Sequence, residues 1–78
     1  MDAALRAHKM PQCNGDLKRL RLEAGLSQNK LARAADLDRT TISSAERGGD
    51  VTDLTISKLA TALSKALGTQ VLAARLQK

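Results

Sequence analysis

From Asn14 onward, apolar side chains return at the spacing of a helix buried along one side. Leu17, Leu20, Arg21 and Ala24 fall at i, i+3, i+4 and i+7. Asn14 is placed to cap the first helix, and Gly25 to end it in the left-handed conformation. A second helix starts at Ser27, whose hydroxyl suits the amides of the next turn, and directs Leu31, Ala32 and Ala35 inward. Asp36-Leu37 interrupts that pattern. Asp38 then caps a third helix, Arg39 to about Arg47, stopped by Gly48-Gly49. Thr52 or Asp53 opens a fourth, with Ile56, Leu59, Ala60, Leu63 and Leu67 as its stripe and Gly68 as its end. Thr69 begins a short fifth, Gln70–Gln77. No useful length of chain alternates apolar and polar residues, so the predicted fold class is all-α, a compact bundle of about five short helices. Residues 14–68 make up the bundle and 69–78 a C-terminal helix. Residues 1–13 are predicted to be a flexible N-terminal arm, with a helical turn or two at Ala3, Ala4, Leu5 and Ala7 before Pro11. This arm reads as a frayed tail rather than as a basic strand (Arg6, His8, Lys9) laid along nucleic acid.

Composition narrows the function. Seventy-eight residues make one small domain, which hides only about 60% of its extended-chain surface on folding. Phe, Trp and Tyr are absent, so the core is built from Leu, Ile, Val and Ala. The chain also has no rings on which to stack single-stranded bases. One cysteine, Cys13, and one histidine, His8, make neither an internal disulfide nor a metal-ligand set. The expected compartment is therefore the reducing cytoplasm, with no metal and no cofactor. Apolar runs are too short for a membrane span, and MDAALRAHKM lacks the apolar stretch of a secretory signal. Thirteen Lys and Arg against eight Asp and Glu give a net charge of +5, which fits a polyanionic partner. No nucleophile–base pair, carboxylate dyad or phosphate-cradling glycine loop is visible, so catalysis has no candidate residues.

The stretch 28–47, QNKLARAADLDRTTISSAER, is the most informative. Two short helices meet at a turn of about four residues, with small or apolar residues wherever crossed helices must touch. Ala32 leaves room for the third helix to pass over it. Leu31, Ala35 and Leu37 anchor the turn, Ile42 and Ala45 hold the third helix down, and Asp36 tolerates positive φ. These spacings describe a helix-turn-helix, whose second helix enters the DNA major groove. At about 100° per residue, Thr40, Ser44 and Arg47 lie opposite Ile42 and Ala45. Ser43 flanks them, and Arg39 projects from the leading end. That face carries no carboxylate, as suits a surface that approaches an anion.

From Leu17 to Gly48 the chain resembles the phage-repressor and Cro type of helix-turn-helix, the XRE family. The resemblance rests on GLSQ at Gly25–Gln28, LA at Leu31-Ala32, TIS at Thr41–Ser43 and ERG at Glu46–Gly48. KLATAL at Lys58–Leu63 extends it to about two-thirds of the chain. It implies a lambda-repressor-like bundle and sequence-specific binding of a double-stranded DNA operator as a homodimer. On matching positions it implies base contacts from Arg39, Thr40 and Ser44, with Ser43 a weaker candidate. An arginine there can bond to both O6 and N7 of guanine, worth about 1–3 kcal/mol of discrimination. It implies phosphate contacts from Ser27, Gln28 and Asn29 at the start of the second helix, and from Arg47, with Gln28 also bracing Arg39. Arg21 and Glu46 match a structural ion pair that joins the first helix to the third. That pair explains an arginine on an apolar stripe.

Four departures stand out: Asp36 where relatives commonly have Gly, Ala45 where they have a larger side chain, Gly49-Asp50-Val51 where they often carry Lys or Arg, and a longer fourth helix through Ser64-Lys65-Ala66-Leu67. In the last ten residues, Val71, Leu72, Ala74 and Leu76 are more apolar than a terminal helix needs. They either form the dimer interface or close the monomer core. The reading is a transcriptional regulator. Its rivals are an antitoxin that binds a partner toxin, a helical adaptor that binds only protein and, least supported, a membrane-surface peptide.

Overall fold

The computed structural model describes residues 11–78. Five helices follow one another, α1 (Asp16–Glu23), α2 (Gln28–Ala34), α3 (Arg39–Glu46), α4 (Asp53–Leu67) and α5 (Ala73–Leu76). No strand of more than a single bridging residue occurs among the described residues. Helix α4 is the spine: it packs against α1, α2 and α5, while α3 packs mainly on α2. Leu17, Leu31, Ile42, Ile56, Leu59, Leu63 and Leu76 are the largest fully buried side chains. Each contributes about 1.5–3 kcal/mol on leaving water. The core is as aliphatic as the composition requires.

The first three helices end in the same way. Leu26 N donates to Arg21 O at 3.1 Å and Gly25 N to Leu22 O at 3.0 Å. After α2, Leu37 N donates to Ala32 O at 2.7 Å and Asp36 N to Arg33 O at 3.2 Å. After α3, Gly49 N donates to Ser44 O at 2.9 Å and Gly48 N to Ala45 O at 3.1 Å. This paired closure satisfies the last carbonyls of a helix and requires a left-handed residue just past its end. Gly25, Asp36 and Gly48 supply it, with φ of 71°, 57° and 85°. Ser27 and Thr52 cap the starts of α2 and α4 by accepting from Lys30 N at 3.1 Å and Thr55 N at 3.0 Å.

The two ends of the described chain differ from the sequence expectation. Residues 11–13 do not belong to an arm. Val51 N donates to Pro11 O at 2.9 Å, Lys78 N to Gln12 O at 2.9 Å, and Asn14 N to Leu76 O at 2.8 Å. Cys13, inside this seam, is only 2% exposed. Asn14 is not the N-cap of α1, a position held by Gly15. Its side chain accepts from Asp16 N at 2.8 Å and donates to Arg75 O and Gln77 O, each at 2.9 Å. The arm's other residues, with Arg6, His8 and Lys9, lie outside the described residues.

The last helix is shorter than predicted. After Gly68 the chain turns back so that Val71 N donates to the Ser64 hydroxyl at 2.8 Å. That leaves residues 69–72 extended or turning, and α5 begins only at Ala73. Val71 and Leu76 are 5% and 0% exposed within the single chain. They close the monomer core and are withdrawn from the dimer-interface set, in which Leu72 and Ala74 remain exposed.

Candidate nucleic-acid interface

Helix α3 exists as a separate rod because Asp36 reverses the chain and Asp38, extended at ψ 149°, redirects it. Ile42 and Ala45 are 0% and 1% exposed and hold the inner side of α3 on the core. Ala32, at 3% exposure, is where a larger side chain would push α3 away. The outer side then presents Arg39, Thr40 and Arg47 to solvent, with Ser43 and Ser44 half-buried. Two arginines at the two ends of a hydroxyl-bearing strip form a surface that attracts phosphate and can donate to base edges.

Beneath α3 lies a fully satisfied polar knot. The Arg21 guanidinium grips the Glu46 carboxylate with two nitrogens, Nε on Oε2 and Nη2 on Oε1 at 3.1 Å. Its third nitrogen, Nη1, donates to Leu26 O at 2.9 Å. The two side chains are 8% and 6% exposed. Such a pair is costly to break from one side, since the survivor is left charged and dry. Here it ties the end of α1, the loop before α2 and the end of α3 into one unit. Gln28 belongs to the same knot. Its Nε2 donates to Glu46 Oε1 at 3.1 Å, so its carboxamide is turned inward and does not brace Arg39. Only its backbone amide stays at the start of α2, beside the exposed Ser27 and Asn29.

Two further corrections concern the strip itself. The Ser44 hydroxyl sits under the loop that leaves α3. A Cβ at Gly49 would collide with it and would approach Ser44 O at 3.0 Å. Ser44 is thus tucked against Gly49, while Thr40 and Arg47 stand clear. Sequence counting also missed the far wall. Asp50, Val51, Thr52 and Thr55 line a cleft together with Thr40, Thr41 and Ser44. The strip carries no carboxylate of its own, yet Asp50 stands beside it, accepting from Gln12 Nε2 at 3.0 Å. Nothing in the 3.6-residue period of α3 reports a residue on the following loop. The only available signal was the departure from Lys or Arg at that loop.

Residues 17–70 match the helix-turn-helix family of the Cro/C1 type, known as XRE. The chain belongs to this family. Helix α3 is therefore its recognition helix and α2 the helix that crosses before it, as the paired geometry describes. Neither the curated proteins nor the solved structures compared with it gave a match. The XRE-type chain is a DNA-binding regulator whose motif spans α1 to α4 and the turn after it. No helix among the described residues is long and apolar enough to cross a membrane.

Proposed function

We propose that this regulator, acting as a repressor or controller, reads one half of a pseudo-palindromic operator with the outer strip of α3 and works as a homodimer. The observation that carries the reading is the division of α3 into two sides. Glu46, Ile42 and Ala45 are clamped inward, and Arg39, Thr40, Ser43 and Arg47 are left facing out. Arg39 enters the groove first and contacts a guanine edge. Thr40 offers its methyl to thymine, Ser43 a hydroxyl, and Ser44 a base contact only at the rim beside Gly49. Arg47, at the far end, meets phosphate. Ser27, Asn29 and the Gln28 amide meet a second phosphate where the dipole of α2 favours an anion. Joining two copies adds their binding energies, with half-sites roughly 34 Å apart.

Selection of bound duplexes from a random pool tests these roles. Arg39→Ala should relax preference at one base pair, at a cost of about 1–3 kcal/mol, whereas Arg47→Ala should weaken all sequences alike. Identical sequence preferences and equal losses for both variants would reject the assignment. Binding through several phosphates should also weaken steeply as salt rises. Absent or salt-independent duplex binding would instead favour a protein-only adaptor.

A further inference from the structure

We infer that Asp50, on the loop leaving α3, is a specificity-determining residue that reads a cytosine of the operator through its free carboxylate oxygen. This rests on the reading of α3 above and adds a second element to the surface that reads bases. The loop from α3 to α4 is tied down along its length. Gly48 turns it at φ 85°, and Gly49 lies so close to α3 that an added Cβ would strike the Ser44 hydroxyl. Val51 is 5% exposed, and its amide donates to Pro11 O at 2.9 Å. Thr52 caps α4 by accepting from Thr55 N at 3.0 Å. Between these anchors the backbone of Asp50 bridges to Gln12, and its Oδ1 accepts from Gln12 Nε2 at 3.0 Å. The exposed carboxylate is thus held beside the strip, with Oδ2 unpartnered among the described residues.

What such a group can bind follows from its chemistry. Ionised, it only accepts hydrogen bonds. Phosphate oxygens also only accept, so the DNA backbone offers it nothing but repulsion. Asp16, Asp36 and Glu46 each lie within ion-pair distance of a cation, whereas Asp50 has none among the described residues. The repulsion is therefore offset only by a hydrogen-bond donor on the DNA. In the major groove the base edges offer two, the amino groups of cytosine and adenine. Adenine presents its amino group beside N7, an acceptor that a carboxylate meets unfavourably. Cytosine carries no acceptor on that edge and is the better partner. Asp50 shares its cleft with Thr40 and Ser44, one turn apart on the strip, whereas Arg39 lies outside it. The cytosine accordingly belongs to a base pair other than the one whose guanine Arg39 reads.

Selection of bound duplexes from a random pool provides the test, with the wild type beside Asp50→Ala, Asp50→Asn and Arg39→Ala, each with its helical circular dichroism retained. The wild type should prefer cytosine about tenfold at one position that Arg39→Ala leaves intact. Asp50→Ala should abolish that preference. Its Kd, measured by fluorescence anisotropy, should rise on duplexes with cytosine there and fall on duplexes with thymine there, closing the roughly tenfold gap. Asp50→Asn keeps the shape and the acceptor for Gln12 but gains a donor, so it should move the preference toward adenine. A residue that only shaped the loop would weaken all duplexes alike. Uniform losses, a cytosine preference that survives Asp50→Ala, or equal gains on every duplex (the sign of a carboxylate facing phosphate) would each overturn the role of Asp50. Those results leave the reading of α3 standing where Arg39→Ala still erases its own position. A wild-type pool with no preference at any position would reject both.

Discussion

Two seams hold the recognition helix in place, and they are built from different materials. The knot under α3 consists of side chains: Arg21, Glu46 and Gln28, dry and mutually satisfied. The terminal seam is mostly backbone. Residues 11–14 pair with Val51 on one side and with Leu76 and Lys78 on the other. The first grips α3 itself, and the second grips the loop leaving it. A side-chain knot is specific and vulnerable, because removing one member strands the others. A backbone seam tolerates most side chains, because its donors and acceptors are common to all residues. The knot should therefore dominate the response to substitution.

The largest expected effect follows directly. Arg21→Ala or Glu46→Ala should each destabilise the domain by about 3–5 kcal/mol, measured by urea denaturation. Replacing both with apolar residues, Arg21→Met with Glu46→Leu, should cost much less than either truncation, since no lone charge remains. Equal losses in the single and double variants would show that the knot acts through packing rather than charge. For a chain of this size, the single substitutions consume much of a typical stability of about 5–15 kcal/mol.

The contrast between the seams also explains what the sequence made legible. The helix-turn-helix was readable because its constraints are local. Leu31, Ala32, Ile42 and Ala45 repeat at helical spacing, and Gly25 and Gly48 mark left-handed stops. Arg21 on an apolar stripe announced a buried partner, and the family resemblance supplied Glu46. The brace from Gln28 to Arg39 does not form, because its carboxamide donates to Glu46 instead, and spacing cannot choose between partners that lie across the interior. The terminal seam was invisible for a related reason: pairing between residue 12 and residue 78 leaves no periodic trace. The same blindness left Val71 and Leu76 open between an interface and the monomer core. An apolar residue near a terminus reads alike whether it faces a partner or its own core, and only the return of Val71 N to Ser64 settles which.

Asn14 makes more side-chain hydrogen bonds in the backbone seam than Gln12, which has a single one to Asp50, so it should give the next largest effect. Asn14→Ala removes one accepted and two donated hydrogen bonds and should cost about 1–3 kcal/mol. Native-state hydrogen exchange should locate the loss at the amides of Asn14, Val51 and Lys78, leaving those of α2 and α3 protected. Uniform loss of protection would mean that the two seams are one cooperative unit.

Cys13 gives the seam a pH dependence. Burial pushes its thiol above the ordinary range by penalising the charged thiolate. A folded-state pKa above the unfolded one gives stability that is complete below the unfolded value, about 8.5, and is lost as pH rises through the folded value. The unfolding free energy should thus fall above about pH 8.5, by at most about 1.4 kcal/mol per pH unit. Cys13→Ala should flatten that slope, and an identical slope in both proteins would remove Cys13 as its source.

The smallest effect, and the one of opposite sign, lies at the turn between α2 and α3. Asp36 holds φ at 57° where Gly25 and Gly48 do the same task at the neighbouring helix ends. An L-residue with a Cβ is strained there, Asp less than most. Glycine would remove that strain but would add freedom to the unfolded chain, costing about 0.5–1 kcal/mol. The contact to Lys58 weighs little, since the Asp36 side chain is 97% exposed and such pairs contribute about 0–1 kcal/mol. Asp36→Gly should therefore stabilise by no more than about 1 kcal/mol, whereas Asp36→Val, β-branched at positive φ, should destabilise by at least as much. Thermal melts of the two variants against wild type should bracket it from both sides. Destabilisation by both would mean that the carboxylate holds the turn, and that α3 is aimed in part by a charge rather than by the conformation of one backbone residue.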